Sequence, residues 1–108
     1  VIAVLGDMLE LGDAGDADHS ELGEYAVSAG VSGLVTVGPL AALAARSAVG
    51  AGLDPRRCRA CDDNASAARA ATEMASAGDV ILVKGSRGMR MEQIVSALAE
   101  SPDDSGDR

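Results

Sequence analysis

Val80-Ile81-Leu82-Val83-Lys84-Gly85-Ser86-Arg87-Gly88 is the stretch on which the reading of the fold turns. Its aliphatic run is uninterrupted rather than alternating, is rich in β-branched residues, and is too short for a helix. Such a run suits a strand covered on both faces of a parallel sheet. It stops at a basic loop punctuated by glycines, after which Met91, Ile94, Val95 and Leu98 recur at helical spacing. Strand, glycine loop, helix is therefore the unit, and the same unit recurs upstream. Residues 1–5 form an apolar run broken by Gly6-Asp7, residues 34–37 a second closed by Gly38-Pro39, and residues 57–60 a weaker third between Pro55 and Asp62-Asp63.

The segments between these runs read as helices. Asp18 and Glu21 resemble a capping pair ahead of Leu22, Tyr25, Ala26 and Ala29, and Gly30 follows as a stop. Tyr25 lies on that stripe and is expected in the core. Pro39 opens a segment striped by Leu40, Leu43, Ala44 and Ala48, which residues 50–52 end. Asn64 is the expected N-cap of an alanine-rich helix reaching Ala77, with Gly78 after it. Strands alternating with helices at this spacing predict right-handed βαβ units: an α/β, Rossmann-like open parallel sheet flanked by helices, in a single domain over 1–100. The polar tail 101–108 is expected to be flexible. Because the chain opens directly on a core strand, it reads as a fragment of a longer polypeptide. The loop 6–18 is longer than the 2–6 residues usual between strand and helix, which marks it as a functional candidate.

Composition narrows the partners. Among 108 residues there is no Phe or Trp and one Tyr, so the core must be built from Ala, Val, Leu, Ile and Met. Seventeen acidic residues against nine basic ones give a net charge of −8, which repels nucleic-acid backbones and anionic lipid and argues against both as partners. No apolar run approaches a membrane span. Cys58 and Cys61 form one C-x-x-C with no second pair, and His19 lies far along the chain. A structural zinc site needs about four ligands, so the pair reads as reduced, structural or incidental thiols, which fits the cytoplasm.

In an open parallel sheet, ligands gather beyond the carboxyl ends of the strands. Two loops there carry unusual chemistry. In the last, Lys84 and Arg87 bring two cations, Ser86 a hydroxyl, and Gly85 and Gly88 allow close backbone approach. A helix expected to start near Met89 adds its positive end, and the whole suits a carboxylate or phosphate. Neutralisation of an acidic surface is the bland alternative. It is neither a Walker A loop nor G-x-G-x-x-G. In the first loop, Asp7 and Glu10 could accept hydrogen bonds from an ammonium group or cap turns. His19 could face a ligand or bond to backbone. Met89 and Met91 read as packing, and Asp62-Asp63-Asn64 as helix capping rather than a cation site. The residues thus give an anion-binding crevice without a nucleophile–base pair or a metal cluster.

Two stretches carry a resemblance. Val4-Leu5-Gly6-Asp7-Met8-Leu9-Glu10-Leu11-Gly12, with His19 and Gly23-Glu24-Tyr25-Ala26, and the stretch from Val80 to Glu92 together resemble the opening and closing motifs of the carboxy-terminal domain of the Mur ligase family. The match is to its D-alanyl-D-alanine-adding members, with Leu34-Val35-Thr36-Val37-Gly38 as a middle strand, and it extends to about Leu98. The resemblance implies one domain of a three-domain, ATP- and Mg²⁺-dependent amide ligase of peptidoglycan synthesis. Such an enzyme forms an acyl phosphate on UDP-N-acetylmuramoyl-tripeptide, which the amine of D-alanyl-D-alanine attacks. It further implies substrate-binding roles for Asp7, His19, Lys84, Gly85, Ser86, Arg87 and Gly88, with no catalytic residue and no metal ligand in this chain. ATP and Mg²⁺ belong mainly to a central domain whose P-loop this sequence lacks, so the chain alone is expected to bind neither and to be inactive. The alternative is a stand-alone flavodoxin-like binding module or a receiver-type signalling module, with Asp7, Asp62 and Lys84 as its acids and lysine.

Overall fold

The computed structural model describes residues 1–8, 15–85 and 87–99, with Arg87 described by its backbone alone. The expected tail 101–108 lies outside them, as do residues 9–14 of the first loop, Glu10 among them. Four strands, β1 (Ile2–Gly6), β2 (Gly33–Val37), β3 (Cys58–Cys61) and β4 (Ile81–Lys84), alternate with helices α1 (Gly15–Ser28), α2 (Ala41–Gly50), α3 (Asn64–Met74) and α4 (Glu92–Ala99). Short 3₁₀ turns at Pro55–Arg57 and Arg87–Met89 precede β3 and α4.

All strand pairs are parallel, in the order β3-β2-β1-β4. Ile2 pairs with Gly33 on one side and with Ile81 on the other, so β1 is central. The chain steps outward from β1 to β2 to β3, then returns across the sheet to lay β4 against the free side of β1. The direction of winding therefore reverses between β1 and β4.

Alternation along the strands sorts the core into two layers. Ile2, Val4, Val35 and Val37 pack against Ala67, Ala68, Ala70, Ala71 and Met74 of α3 and against Met91 and Ile94. Ala3, Leu5 and Leu34 pack on the other face against Ala44 and Ala48 of α2, with Leu22 and Val27 of α1 beside them. Only β1 and β2 are covered on both faces. In β4, Ile81 and Val83 are half-buried against the α3/α4 layer while Leu82 is 54 % exposed, because α1 and α2 do not extend over that edge.

Helix ends follow local chemistry. α1 closes with the Val31 N–H on the Ala26 carbonyl and the Gly30 N–H on the Val27 carbonyl, and Gly30 takes φ +88°. α2 repeats that motif through Leu53 to Ala48 and Gly52 to Val49. In both, the left-handed residue is glycine and the next residue, Val31 or Leu53, tucks into the core. Three expectations are corrected. The N-cap of α3 is Asp63, whose carboxylate accepts from the Ser66 N–H at 2.7 Å, and the helix ends at Met74 rather than Ala77. Tyr25 is 68 % exposed. The buried face of α1 is Gly15, His19, Gly23 and Ala26; of these only Ala26 belongs to the expected stripe, because glycine and histidine do not register as apolar.

Candidate functional site: the reversal between β1 and β4

The carboxyl ends of β1 and β4 lie side by side, Leu5 opposite Lys84, and the two loops singled out in the sequence leave from them. Such a reversal of winding is the place at which open α/β sheets bind ligands.

Glycines mark the ends of both strands there, packed closely against Met91. A methyl on Gly6 would lie 2.7 Å from Met91 Sδ, and one on Gly85 would lie 2.8 Å from Met91 Cγ and 3.2 Å from Gly6 Cα. Met91, 7 % exposed, presses both strand ends together. Gly85 thus serves strand packing. Lys84 is exposed at the end of β4. Ser86 lies outside the described residues, and nothing is described of the Arg87 side chain. Beyond the 3₁₀ turn that holds Gly88, Arg90 takes φ +52°, a left-handed conformation rare for a residue with a Cβ. Helix α4 begins at Glu92, later than the expected start near Met89, and its Gln93 and Ile94 N–H groups donate to the Arg90 and Met91 carbonyls. Those two amides are therefore already used.

Asn64, expected as a cap, does something else. From the start of α3 its Nδ2 donates to the Met89 carbonyl at 2.9 Å, the Arg90 carbonyl at 3.2 Å and Gln93 Oε1 at 2.9 Å. No local sequence signal marks a bond that spans 25 to 29 positions.

On the β1 side, Asp7 is 4 % exposed and its Oδ1 accepts from the Ala41 N–H at 2.7 Å, at the first turn of α2. Its carboxylate fills the space beside Gly38, where a Cβ would sit 2.5 Å from Oδ1. A carboxylate at that end complements the helix dipole. His19 is 1 % exposed and bonds to backbone on both ring nitrogens. Nε2 accepts from the Met8 N–H at 2.9 Å, and Nδ1 donates to the Gly15 carbonyl, which fixes the Nδ1–H tautomer. The ring joins the residue before the segment 9–14 to the residue after it.

The cysteines take no part. Three positions apart on a strand, they face opposite layers: Cys58 packs with the α1/α2 side and Cys61 with the α3/α4 side. Burial pushes both thiols above their ordinary pKa, with Asp63 and Asp62 adding to the effect at Cys61 and Arg59 opposing it. Among the described residues no three His, Cys, Asp or Glu side chains converge as a metal site, and no helix is long and apolar enough to cross a membrane. The receiver alternative loses its acidic pocket: Asp7 is engaged by α2, and Asp62 is exposed at the end of an edge strand.

Comparison with known proteins agrees with this layout. The family described as "Mur ligase, glutamate ligase domain" matches residues 1–87. The chain is 40% identical over 99 residues to the UDP-N-acetylmuramoyl-tripeptide–D-alanyl-D-alanine ligase of Bacillus subtilis (strain 168), covering 92% of this chain and 21% of that protein. It is 36% identical over 102 residues to the protein of the same name from Escherichia coli (strain K12), covering 93% and 21%. A crystal structure of MurF from Acinetobacter baumannii superposes with a TM-score of 0.76 at 27% identity, over 93% of this chain and 22% of that one. The chain spans about a fifth of the length of these relatives. With four parallel strands, helices on both faces and a family match from its first residue through the turn after β4, the chain belongs to the Mur ligase family as its glutamate ligase domain.

Proposed function

We propose that this chain is the domain that presents the incoming amine substrate in an ATP-dependent amide ligase. That ligase adds D-alanyl-D-alanine to UDP-N-acetylmuramoyl-tripeptide in peptidoglycan precursor synthesis. The observation that carries the reading is the position of a doubly cationic loop at the sheet's reversal point, the end of the sheet at which a ligand can enter. The names of the two curated relatives support the choice of dipeptide and acceptor. In this reading Lys84, Ser86 and Arg87, on a backbone spaced by Gly85 and Gly88, hold the dipeptide carboxylate or a nucleotide phosphate. Asp7 and His19 line the opposite loop and serve substrate binding by fixing where it starts and ends. UDP-linked and ATP substrates assign the reaction to the cytoplasm.

In this reading ATP and Mg²⁺ are held mainly by other parts of the ligase. The Walker A pattern is missing from the sequence of this chain, and the described residues bring no three metal-ligating side chains together. Their chemistry, activation of the peptide carboxylate, falls to other parts of the ligase. The 108-residue chain alone is expected to have no ligase activity. The test is Arg87→Ala in the complete ligase polypeptide. Loss of a charge-assisted bond should raise the KM for D-alanyl-D-alanine about ten- to a hundredfold while the KM for UDP-N-acetylmuramoyl-tripeptide stays put. A rise confined to the KM for ATP would assign the loop to the nucleotide phosphate instead, and unchanged kinetics for both dipeptide and ATP would refute its role.

A further inference from the structure

We propose that Asn64 is a positioning residue for the incoming substrate, one that holds the turn after β4 in its binding shape from a different helix. The inference rests on the reading above that this turn receives the substrate's anionic group. Asn64 stands at the first position of α3, but Asp63 caps that helix, so the asparagine amide is free for other work. It turns toward the segment between the basic loop and α4, where Nδ2 meets three oxygens at 2.9, 3.2 and 2.9 Å. Two of these are the Met89 and Arg90 carbonyls, the backbone that brackets the left-handed Arg90. A residue with a Cβ at φ +52° needs its surroundings to hold it there, and the amide is the side-chain group seen doing so.

The orientation of the amide is forced. Asn64 Oδ1 is shielded from solvent and has no hydrogen-bond partner among the described residues. Rotating the amide by half a turn would set that oxygen against the Met89 and Arg90 carbonyl oxygens, backbone acceptors that cannot turn away. A buried carbonyl oxygen without a partner is unfavourable, and here it accompanies the bonds that Nδ2 makes to the turn. Arg90 follows Arg87 by one helical turn's worth of chain, so its backbone angles set the direction in which the basic loop runs into α4.

Asparagine is required in this account because the site needs a donor. Asn64→Asp keeps the shape and replaces the donor by a negatively charged acceptor facing the Met89 and Arg90 carbonyls. In the 108-residue chain, this variant should shift the Arg90 Cα and Hα NMR resonances away from values typical of positive φ. It should also raise amide exchange over 87–91 by about tenfold or more while α1 and α2 keep theirs. In the complete ligase it should raise the KM for D-alanyl-D-alanine about tenfold, with the KM values for ATP and UDP-N-acetylmuramoyl-tripeptide within about twofold. Glycine takes the left-handed conformation without cost, so Arg90→Gly added to Asn64→Asp should restore much of the dipeptide KM. If Asn64→Asp does not fold, Asn64→Ala, which removes the bonds without the repulsion, is read in the same way. Unmoved Arg90 resonances, or a KM rise shared equally by all three substrates, would overturn the proposal. If the wild-type ligase adds no dipeptide at all, the functional reading falls, while the resonances still decide whether Asn64 sets the turn.

Discussion

Gly23 has no side chain, and the first helical layer depends on that. A methyl built on it would lie 2.1 Å from the Ala44 carbonyl oxygen, backbone of α2 that no rotamer change can move aside. Gly23→Ala should therefore force α1 and α2 apart and cost about 3 kcal/mol in chemical denaturation. Gly50, in the last turn of α2, meets nothing within 4 Å, so Gly50→Ala serves as the control. It should stabilise by about 0.5 kcal/mol through helix propensity. Equal effects at both sites would mean that close helix approach is not what Gly23 provides. Thr36 poses the opposite case. It is fully buried in β2, and its hydroxyl has no hydrogen-bond partner among the described residues. Thr36→Val keeps the branched shape and removes the orphan polar atom, so the variant should be about 1 kcal/mol more stable than the wild type. A loss of stability would show that the hydroxyl has a partner after all.

At the scale of elements, what the sequence made legible was anything governed by residues close together in it. The three clear apolar runs and the weaker one at 57–60 each became a strand within one residue of the expected bounds, and Gly30 and Gly52 ended the helices before them. What escaped depended on contacts across long separations. The buried face of α1 is chosen by the approach of α2 at Gly23 and by a histidine bonded to backbone, so Tyr25 was left outside. Asn64 reads as a cap because asparagine favours the N-cap position before an alanine-rich run, and its true partners lie on another element. The basic loop was visible from composition; its place beside β1 came only with the strand order. Two element-level expectations follow. The Ser66 N–H holds the Asp63 carboxyl below its usual pKa, so the unfolded chain takes up that proton first as pH falls. The stability gap between wild type and Asp63→Ala should be full above about pH 5 and should shrink as pH falls through and below the ordinary aspartate pKa of about 3.9, as thermal melts across that range would reveal. In β3, Cys58 and Cys61 face opposite layers and their thiols are harder to ionise than free cysteine. Treatment of the folded chain with diamide should give no internal disulfide, and iodoacetamide should react more slowly than with the unfolded chain.

Across the whole molecule, charge works against compactness. The chain carries a net −8, and the ion pairs seen among the described residues, Arg56 with Asp54 and Arg59 with Glu73, are exposed on the surface. Exposed pairs contribute little, whereas seventeen carboxylates on a small domain repel one another over distances that salt screens. The Debye length is about 30 Å at 0.01 M and about 8 Å at 0.15 M ionic strength, so low salt lets charges interact across the domain and physiological salt confines them to near neighbours. The repulsion is the longer-ranged effect and should be screened first. Melting temperature should accordingly rise between about 10 and 200 mM sodium chloride, with most of the gain in the lower half of that range. A fall would mean that the few attractive contacts outweigh the acidic excess. Sodium sulfate at matched ionic strength then isolates the basic loop: screening is equal by design, so stabilisation beyond that seen with chloride, lost in Lys84→Ala, would report anion capture at the end of β4 rather than relief of repulsion.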